Sequence, residues 1–277
     1  MSATIIDGKK SAEIIKNQIS VNLKSSKKEL GLGTILVGND PGSVAYVDGK
    51  HRDCSEVGIS SIKINLPTTS SEDEIIAAIE KLNKDPKCTG FIVQLPLPAS
   101  IDVQNVLSKI DPNKDADGLH PFNLGNLVLS KNSIIPCTPK AIWALLSEYK
   151  VNLSGAKVLI IGRGSTVGRP LSILLSQKNI DATVTLAHSA TRNLTGLIND
   201  ADVVVAAIGK PHFIMPEMIK SGAVVIDVGI TRTQAGLVGD VDPGVINIAS
   251  LFGPMPGGVG PMTRAMLLTN LVELANR

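Results

Sequence analysis

Aromatic side chains are scarce in this sequence: one Trp, two Tyr and four Phe make up 3% of 277 residues. A core built from it must be aliphatic, and the stacking platforms that bind single-stranded nucleic acid are in short supply. An excess of one charge is lacking too. The 27 basic and 25 acidic residues leave a net charge of +2, with 15 and 16 of them in residues 1–139 and 12 and 9 in 140–277. Neither half is biased toward nucleic acid or an anionic membrane. Cysteine is limited to Cys54, Cys88 and Cys137, an odd number with no C-x-x-C pair. That excludes a disulfide framework and a cysteine zinc site, and the expectation is reduced thiols and no metal. Long hydrophobic runs are missing as well. Met1 to Lys10 has no apolar core of a signal peptide, and the charge-free stretch Pro243 to Thr263 is interrupted by glycines and prolines. These features lead us to expect a soluble, cytoplasmic protein without a nucleic-acid or membrane partner.

What is present is a 43% hydrophobic chain long enough for two modest domains, and one conspicuous glycine pattern. Val158 to Ile161 is a short, mostly β-branched apolar run, the mark of a strand buried on both faces. Gly162, Gly164 and Gly168 follow at once, and Val167 to Gln177 reads as a helix. A strand that turns through glycines into a helix lets the backbone approach a pyrophosphate at the helix N-terminus. The spacing is G-x-G-x-x-x-G, one residue longer than the usual dinucleotide fingerprint, and alone it also fits an ordinary glycine-rich turn. Further strands at Ala182–Leu186, Asp202–Ala206 and Ala223–Asp227, separated by helix-length segments, favour the nucleotide reading. Twenty residues beyond Gly168, where an NAD enzyme carries a carboxylate, stand His188 and Ser189. Arg163 lies inside the turn and Arg192 just past the next strand, an arrangement that tolerates a 2′-phosphate and points to NADP. The plainer alternative is that these polar residues merely cap the following helix.

The first half repeats the alternation. An amphipathic helix (Lys9–Lys28) precedes strands at Thr34–Val37, Ile62–Leu66 and Phe91–Val93. Helices lie between the strands, at Ser43–Val57 and from the capping box Ser71-x-x-Glu74 to Leu82. A short helix spans Asp102–Ile110, and a turn-rich loop runs from Asp111 to Gly118. A bridging helix follows to Tyr149, with Thr138 as N-cap and Pro139 at N1, and the last helix spans Met262–Asn276. The expected fold class is α/β: two three-layer α/β domains facing a cleft, the second a Rossmann-type doubly wound parallel sheet. The expected boundaries are 1–139 and 140–261.

Several residues are placed for chemistry. Tyr46 and Lys50 stand four apart on one helix face. A catalytic lysine needs a pKa lowered by desolvation or a neighbouring cation, and an aromatic ring supplies a partly dry wall. The alternative is an exposed lysine paired with Asp53. Gln94 ends the Phe91–Val93 strand at the edge where open α/β sheets bind ligands, or is a turn residue before Pro96. Asp115 and Asp117 form either a carboxylate pair or a simple turn, and Pro254–Thr263 either presents backbone groups to a ligand or is a crossover.

In order along the chain stand Pro41-Gly-Ser-Val-Ala-Tyr-Val-Asp-Gly-Lys50, Gln94-Leu-Pro-Leu-Pro98, Lys114-Asp-Ala-Asp-Gly118, Pro136-Cys-Thr-Pro139, the glycine turn, Val238-Gly-Asp-Val241 and Pro256-Gly-Gly-Val-Gly-Pro-Met-Thr263. Together they resemble the bifunctional methylenetetrahydrofolate dehydrogenase/cyclohydrolase family nearly end to end. The resemblance implies oxidation of 5,10-methylenetetrahydrofolate with NADP, then hydrolysis of the methenyl product to 10-formyltetrahydrofolate. It implies that Lys50 is the central catalytic residue, that Gln94 tunes it, that Tyr46 stacks on the folate and that Asp117 holds the pterin. Val93, Leu95, Pro256, Gly257, Gly258 and Thr263 would complete the folate site. Gly162, Arg163, Gly164, Ser189 and Ile230 would contact NADP. The C-terminal helix (262–277) would return to the first domain, and the protein would be a homodimer. The chain departs from the family pattern in having Gly164 where serine is common, Arg52 for lysine, Ala141 for glycine, and Gly49 inside the helix that carries Lys50. Two rival readings are a Rossmann dehydrogenase of a hydroxy acid and a non-catalytic nucleotide sensor. The first needs a general acid/base near the nicotinamide, and His188 stands too close to the adenosine end.

Overall fold

The computed structural model describes residues 2–234 and 236–277. The chain forms β1 (Thr4–Ile5), α1 (Gly8–Ser26), β2 (Gly31–Val37), α2 (Pro41–Val57), β3 (Ser60–Leu66), α3 (Glu72–Lys84) and β4 (Gly90–Val93). Three helices follow, α4 (Val103–Ser108), α5 (Pro121–Val128) and α6 (Cys137–Glu148). Next come β5 (Lys157–Ile161), α7 (Gly168–Leu175), β6 (Thr183–Ala187), α8 (Leu194–Asp200), β7 (Val203–Ala206) and β8 (Val224–Asp227). The antiparallel pair β9 (Thr231–Thr233) and β10 (Gly236–Val238), then β11 (Leu251–Gly253) and α9 (Val259–Leu274), complete the order. The chain divides into two compact units: a first of residues 13–137 and 264–277, and a second of residues 1–12 and 138–263.

In the first unit β2 lies between β3 and β4, all parallel. All seven residues of β2 are buried, because both of its faces are covered, so it reads as a run rather than an alternation. Ile35 and Val37 pack with Phe91 and Val93 of β4, Ile75, Ile79 and Leu82 of α3, and Val106 and Leu107 of α4. On the other face Thr34 meets His51 of α2, with Oγ1 2.8 Å from Nε2. The start of α2 is set by Asp40, whose side chain accepts from Ser43 N at 2.8 Å, and by Pro41 in the first turn. Its end is set by Gly58 in the left-handed region at φ 85°. The capping box of α3 is formed: Glu74 N donates to Ser71 Oγ at 3.2 Å and Ser71 N to Glu74 Oε2 at 2.8 Å.

In the second unit six parallel strands run in the order β1-β11-β8-β7-β5-β6. β7 is fully buried and β5 and β8 nearly so, while the edge strand β6 alternates. From β5 the chain passes through α7 to β6 on one side, then through α8 to β7 on the other. The switch point of this doubly wound sheet therefore lies between the carboxyl ends of β5 and β7. The N-terminal β1 joins the sheet of the second unit, where Thr4 and Ile5 pair with Leu251 and Phe252. Two residues are too few to carry a strand period. The bridging helix begins at Cys137, so Thr138 lies inside it and is not its N-cap. The last helix starts at Val259, three residues ahead of the sequence expectation. Among the described residues no helix is long and apolar enough to cross a membrane.

Candidate active site and nucleotide cradle

Lys50 is only 7% exposed, although it carries an ionisable amine. Its Nζ lies 4.6 Å from the centroid of the Tyr46 ring, one turn earlier on α2, and donates to Gln94 Oε1 at 2.9 Å. Gln94 stands one residue past β4. Its backbone N–H still bonds Ile35 O at 2.8 Å, and its Nε2 donates to Leu95 O at 2.6 Å. That second bond turns the amide so that its oxygen faces the amine. Burial pushes the Lys50 pKa down from 10.5; Asp117 pulls it back, and the Arg264 cation adds to the lowering. The neutral amine is thereby brought closer to physiological pH.

The ion pair with Asp53 that the spacing also permits is not the one made. Asp53 accepts from Arg264 Nε at 2.6 Å and from Lys16 Nζ at 3.0 Å. Gly49 accounts for part of this. A Cβ on it would stand 3.1 Å from Arg264 Nη1, so the missing side chain makes room for the guanidinium against α2. His51 points to the sheet; burial takes its pKa down to about 4, so it is neutral above that pH.

The carboxylates of the Asp111–Gly118 loop have separate tasks. Asp115 is 1% exposed and accepts from Gly118 N at 3.0 Å, His120 N at 2.8 Å and Asn123 Nδ2 at 2.9 Å. It holds the loop. Asp117 is half-buried and within electrostatic reach of Lys50. Its loop is tied to β4, where Phe91 N donates to Lys114 O and Ala116 N to Phe91 O. Asn270 of α9 donates to Ala116 O and Ile135 O at 3.0 Å each. Val93 is buried and Leu95 half-buried beside Gln94. No group of three or more His, Cys, Asp or Glu able to hold a metal occurs among the described residues.

In the second unit the glycine turn sits at the switch point. Gly162 has φ 116°, and a Cβ on it would run into Ala207 O at the end of β7. A Cβ on Gly168 would run into Gly162 O. Only glycine fits either place. Gly164 differs: its nearest neighbour would be Thr166 Oγ1 at 3.9 Å. The N-cap of α7, Val167, makes no side-chain cap bond; Arg169 N donates to Gly164 O at 3.1 Å and Pro170 has no N–H, which leaves the Gly168 N–H for an anion. Arg163, Ser189 and Ile230 are exposed at the carboxyl edge of β5, β6 and β8. A cradle of this kind, with no carboxylate at Ser189, fits a phosphorylated dinucleotide. His188 Nδ1 accepts from Ala190 N at 3.2 Å and so shapes its own turn. Pro256, Gly257, Gly258 and Thr263 belong to this unit too. Gly258 N donates to Pro254 O, and Thr263 Oγ1 donates to Val259 O at 3.2 Å.

Sequence reasoning gave no role to Arg264 or Asp227, named Asp53 only as a partner for Lys50, and held Asp240 only within the Val238–Val241 motif. A further signal in the sequence is a glycine where none is needed locally: Gly49 under Arg264, Gly229 and Gly239 against the two buried aspartates.

Two family models match the chain: the catalytic domain of tetrahydrofolate dehydrogenase/cyclohydrolase over residues 6–117, and the NAD(P)-binding domain of the same family over residues 136–277. The fold is similar to the bifunctional methylenetetrahydrofolate dehydrogenase/cyclohydrolase from Campylobacter jejuni, at 40% identity, 99% coverage of both chains and a TM-score of 0.94. It is similar to the dehydrogenase-cyclohydrolase from Trypanosoma brucei complexed with NADP and inhibitor, at 37% identity, coverage of 100% and 98%, and a TM-score of 0.93. It also resembles the NAD-dependent 5,10-methylenetetrahydrofolate dehydrogenase from Saccharomyces cerevisiae, at 25% identity, coverage of 100% and 98%, and a TM-score of 0.86.

Proposed function

The chain belongs to the tetrahydrofolate dehydrogenase/cyclohydrolase family, and from that premise we propose how its own residues divide the two reactions. The protein oxidises 5,10-methylenetetrahydrofolate to the 5,10-methenyl form with NADP and hydrolyses that product to 10-formyltetrahydrofolate. Bound NADP supplies the hydride acceptor. Gly162, Arg163, Gly164, Ser189 and Ile230 would hold it. Hydride departure from the methylene carbon leaves no proton to manage, so the protein's task in that step is placement. The Tyr46 ring stacks on the folate and the Asp117 carboxylate takes the pterin N–H groups. Val93 and Leu95 line the remainder.

Hydrolysis asks for more. Water adding to the cationic methenyl carbon must lose a proton, and a neutral Lys50 amine takes it and later returns it. Gln94 Oε1 keeps that amine aimed without supplying a carboxylate that would hold it charged. The observation that carries this reading is the buried Lys50 amine bonded to a neutral amide at 2.9 Å. Lys50→Met keeps much of the stem beside Tyr46 and deletes the amine. Cyclohydrolase activity is expected to fall by about 10²-fold or more, the usual scale of general acid–base catalysis. Dehydrogenase activity persists, so methenyl-folate absorbance accumulates under saturating NADP. A variant that clears methenyl-folate at the wild-type rate removes Lys50 from the role.

The cofactor preference is for NADP over NAD, with Arg163 on the 2′-phosphate. One charge-assisted contact of this kind is worth roughly ten- to a hundred-fold in affinity. Arg163→Ala should shrink the ratio of kcat/KM for NADP to that for NAD; an unchanged ratio assigns the preference elsewhere. The enzyme works as a cytoplasmic homodimer. Sizing over a range of concentrations checks the association, and a monomer throughout would end that part of the reading.

A further inference from the structure

Two buried carboxylates in the second unit have no part in the chemistry above. Asp240 is 0% exposed and Asp227, at the end of β8, 2%. Asp240 Oδ2 accepts from Ile208 N at 2.6 Å and Gly209 N at 3.1 Å, and its Oδ1 accepts from Lys210 N at 2.7 Å. Three consecutive amides converging on one carboxylate form an anion nest, which Gly209 permits by its φ of 66°. Asp240 is itself held from behind. Asp227 Oδ1 accepts from Asp240 N at 2.9 Å and Oδ2 from Val241 N at 3.0 Å. Gly229 and Gly239 leave no room for a Cβ, since one would run into the Asp240 carboxylate and the other into that of Asp227.

The segment gathered in this way is the exit of β7. Ala207 N donates to Ile161 O at 2.8 Å, and Ala207 O and Ile208 Cγ2 form the wall against which Gly162 is pressed. Asp240 thus fixes Ile208–Lys210, and that segment backs the first glycine of the phosphate turn. Gly229, packed on Asp240, precedes Ile230. The exits of β5, β7 and β8 all refer to one buried carboxylate. Without it, three adjacent amides would be left unpaired beside a turn whose fit depends on backbone position to within a fraction of an ångström.

We propose that Asp240 is a positioning residue for the nicotinamide cofactor: it pre-forms the β7 exit loop that seats the Gly162 turn, and Asp227 anchors it there. The proposal rests on the nucleotide-binding role of this unit and is independent of the folate chemistry.

The test is Asp240→Asn in the full-length chain. The amide keeps the shape but turns a donor toward an amide that must itself donate. The dissociation constant and KM for NADP should rise about ten- to a hundred-fold, the scale set by ångström-sized misplacement of a binding group. Turnover of methenyl-folate without cofactor should stay at the wild-type value. A merely structural role would lower both in proportion to the folded fraction. Wild-type affinity for NADP in a folded variant overturns the proposal, and failure of the wild type to bind NADP overturns it together with the reading of the unit. Should the variant not fold, hydrogen exchange on the cofactor-free wild type decides. The amides of Ile208, Gly209 and Lys210 should already be protected; free exchange that stops only when NADP is added would show that the cofactor, not Asp240, orders the loop.

Discussion

In the first unit the candidate groups are side chains withdrawn from water; in the second, Arg163 and Ser189 apart, they are backbone amides and the spaces left by missing side chains. Around Lys50 a buried amine, a neutral amide, an aromatic ring and a carboxylate tune one another by charge and burial. Around Gly162 the equivalent precision comes from close backbone contact, with Asp240 collecting N–H groups out of sight. A site made of side chains responds to charge, and a site made of backbone responds to volume. Each kind of perturbation should therefore damage one unit and spare the other.

The largest expected effect is volumetric. Gly168→Ala forces a Cβ into Gly162 O. Overpacking of this kind costs roughly 3 kcal/mol, which lowers NADP affinity by about 10²-fold. Calorimetric titration with NADP measures the loss, while decay of methenyl-folate without cofactor should proceed at the wild-type rate. Loss of both activities together would abolish the contrast between the units.

Next come two pH dependences of opposite sign. Burial raises the Asp227 pKa from 3.8 to about 7. In that window the folded state holds a proton that the unfolded state has released. Its contribution is fully present below pH 4 and is lost as pH rises through about 7, on the order of 4 kcal/mol. Lys50 goes the other way: its folded pKa lies below 10.5, so stability is lost as pH falls from 10.5 through the depressed value. Hydrogen exchange followed in β7–β8 from pH 4 to pH 7, and in β2–β4 as pH falls from 10.5, should give slopes of opposite sign. Asp227→Asn should flatten the first slope and Lys50→Met the second.

A smaller effect is electrostatic. Arg264→Gln removes a cation that lowers the Lys50 pKa, so the acid limb of the cyclohydrolase pH–rate profile should move to higher pH. An unmoved limb would mean that burial alone sets the amine. The smallest effect belongs to Gly164→Ser, where the added atoms meet open space. NADP affinity should stay within about threefold of the wild type, less than one charge-assisted hydrogen bond is worth. A loss as large as that at Gly168 would show that every glycine of the turn is sterically required.

The same contrast governs how much could be read from the sequence. Val158–Ile161 followed by Gly162 and Gly168 announces itself, because strand period, glycine conformation and helix start are local properties. The helix carrying Tyr46 and Lys50 was readable for that reason too. What Lys50 does there was not readable from local spacing and came only through the family resemblance, since its state depends on Gln94, 44 residues away, and on an Asp53 already taken by Arg264, 211 residues from it. The local alternative, Lys50 with Asp53, was electrostatically reasonable and lost to a better-placed guanidinium. β1 was too short to carry a period, and the start of α6 was misplaced because Thr138-Pro139 looks like a cap although Cys137 N already bonds Asp117 O at 3.2 Å.

The Arg264 and Asn270 contacts on α9 also bear on when the enzyme can become active. Residues 13–137 supply Lys50, Gln94 and Asp117, yet Asp53 has only Lys16 until Arg264 is made, and the Asp117 loop waits for Asn270. During synthesis all of residues 138–263 must be translated before either partner exists. A nascent chain can lay down β2, β3 and β4 early, since domains fold as they emerge. Lys16 can pair with Asp53 early, but the Arg264 bond to Asp53 and the Asn270 bond to Ala116 form only after the nucleotide-binding segment has been made. The hydrogen bonds that close round Lys50 and the Asp117 loop are thereby completed only after the part of the chain that binds the hydride acceptor has left the ribosome.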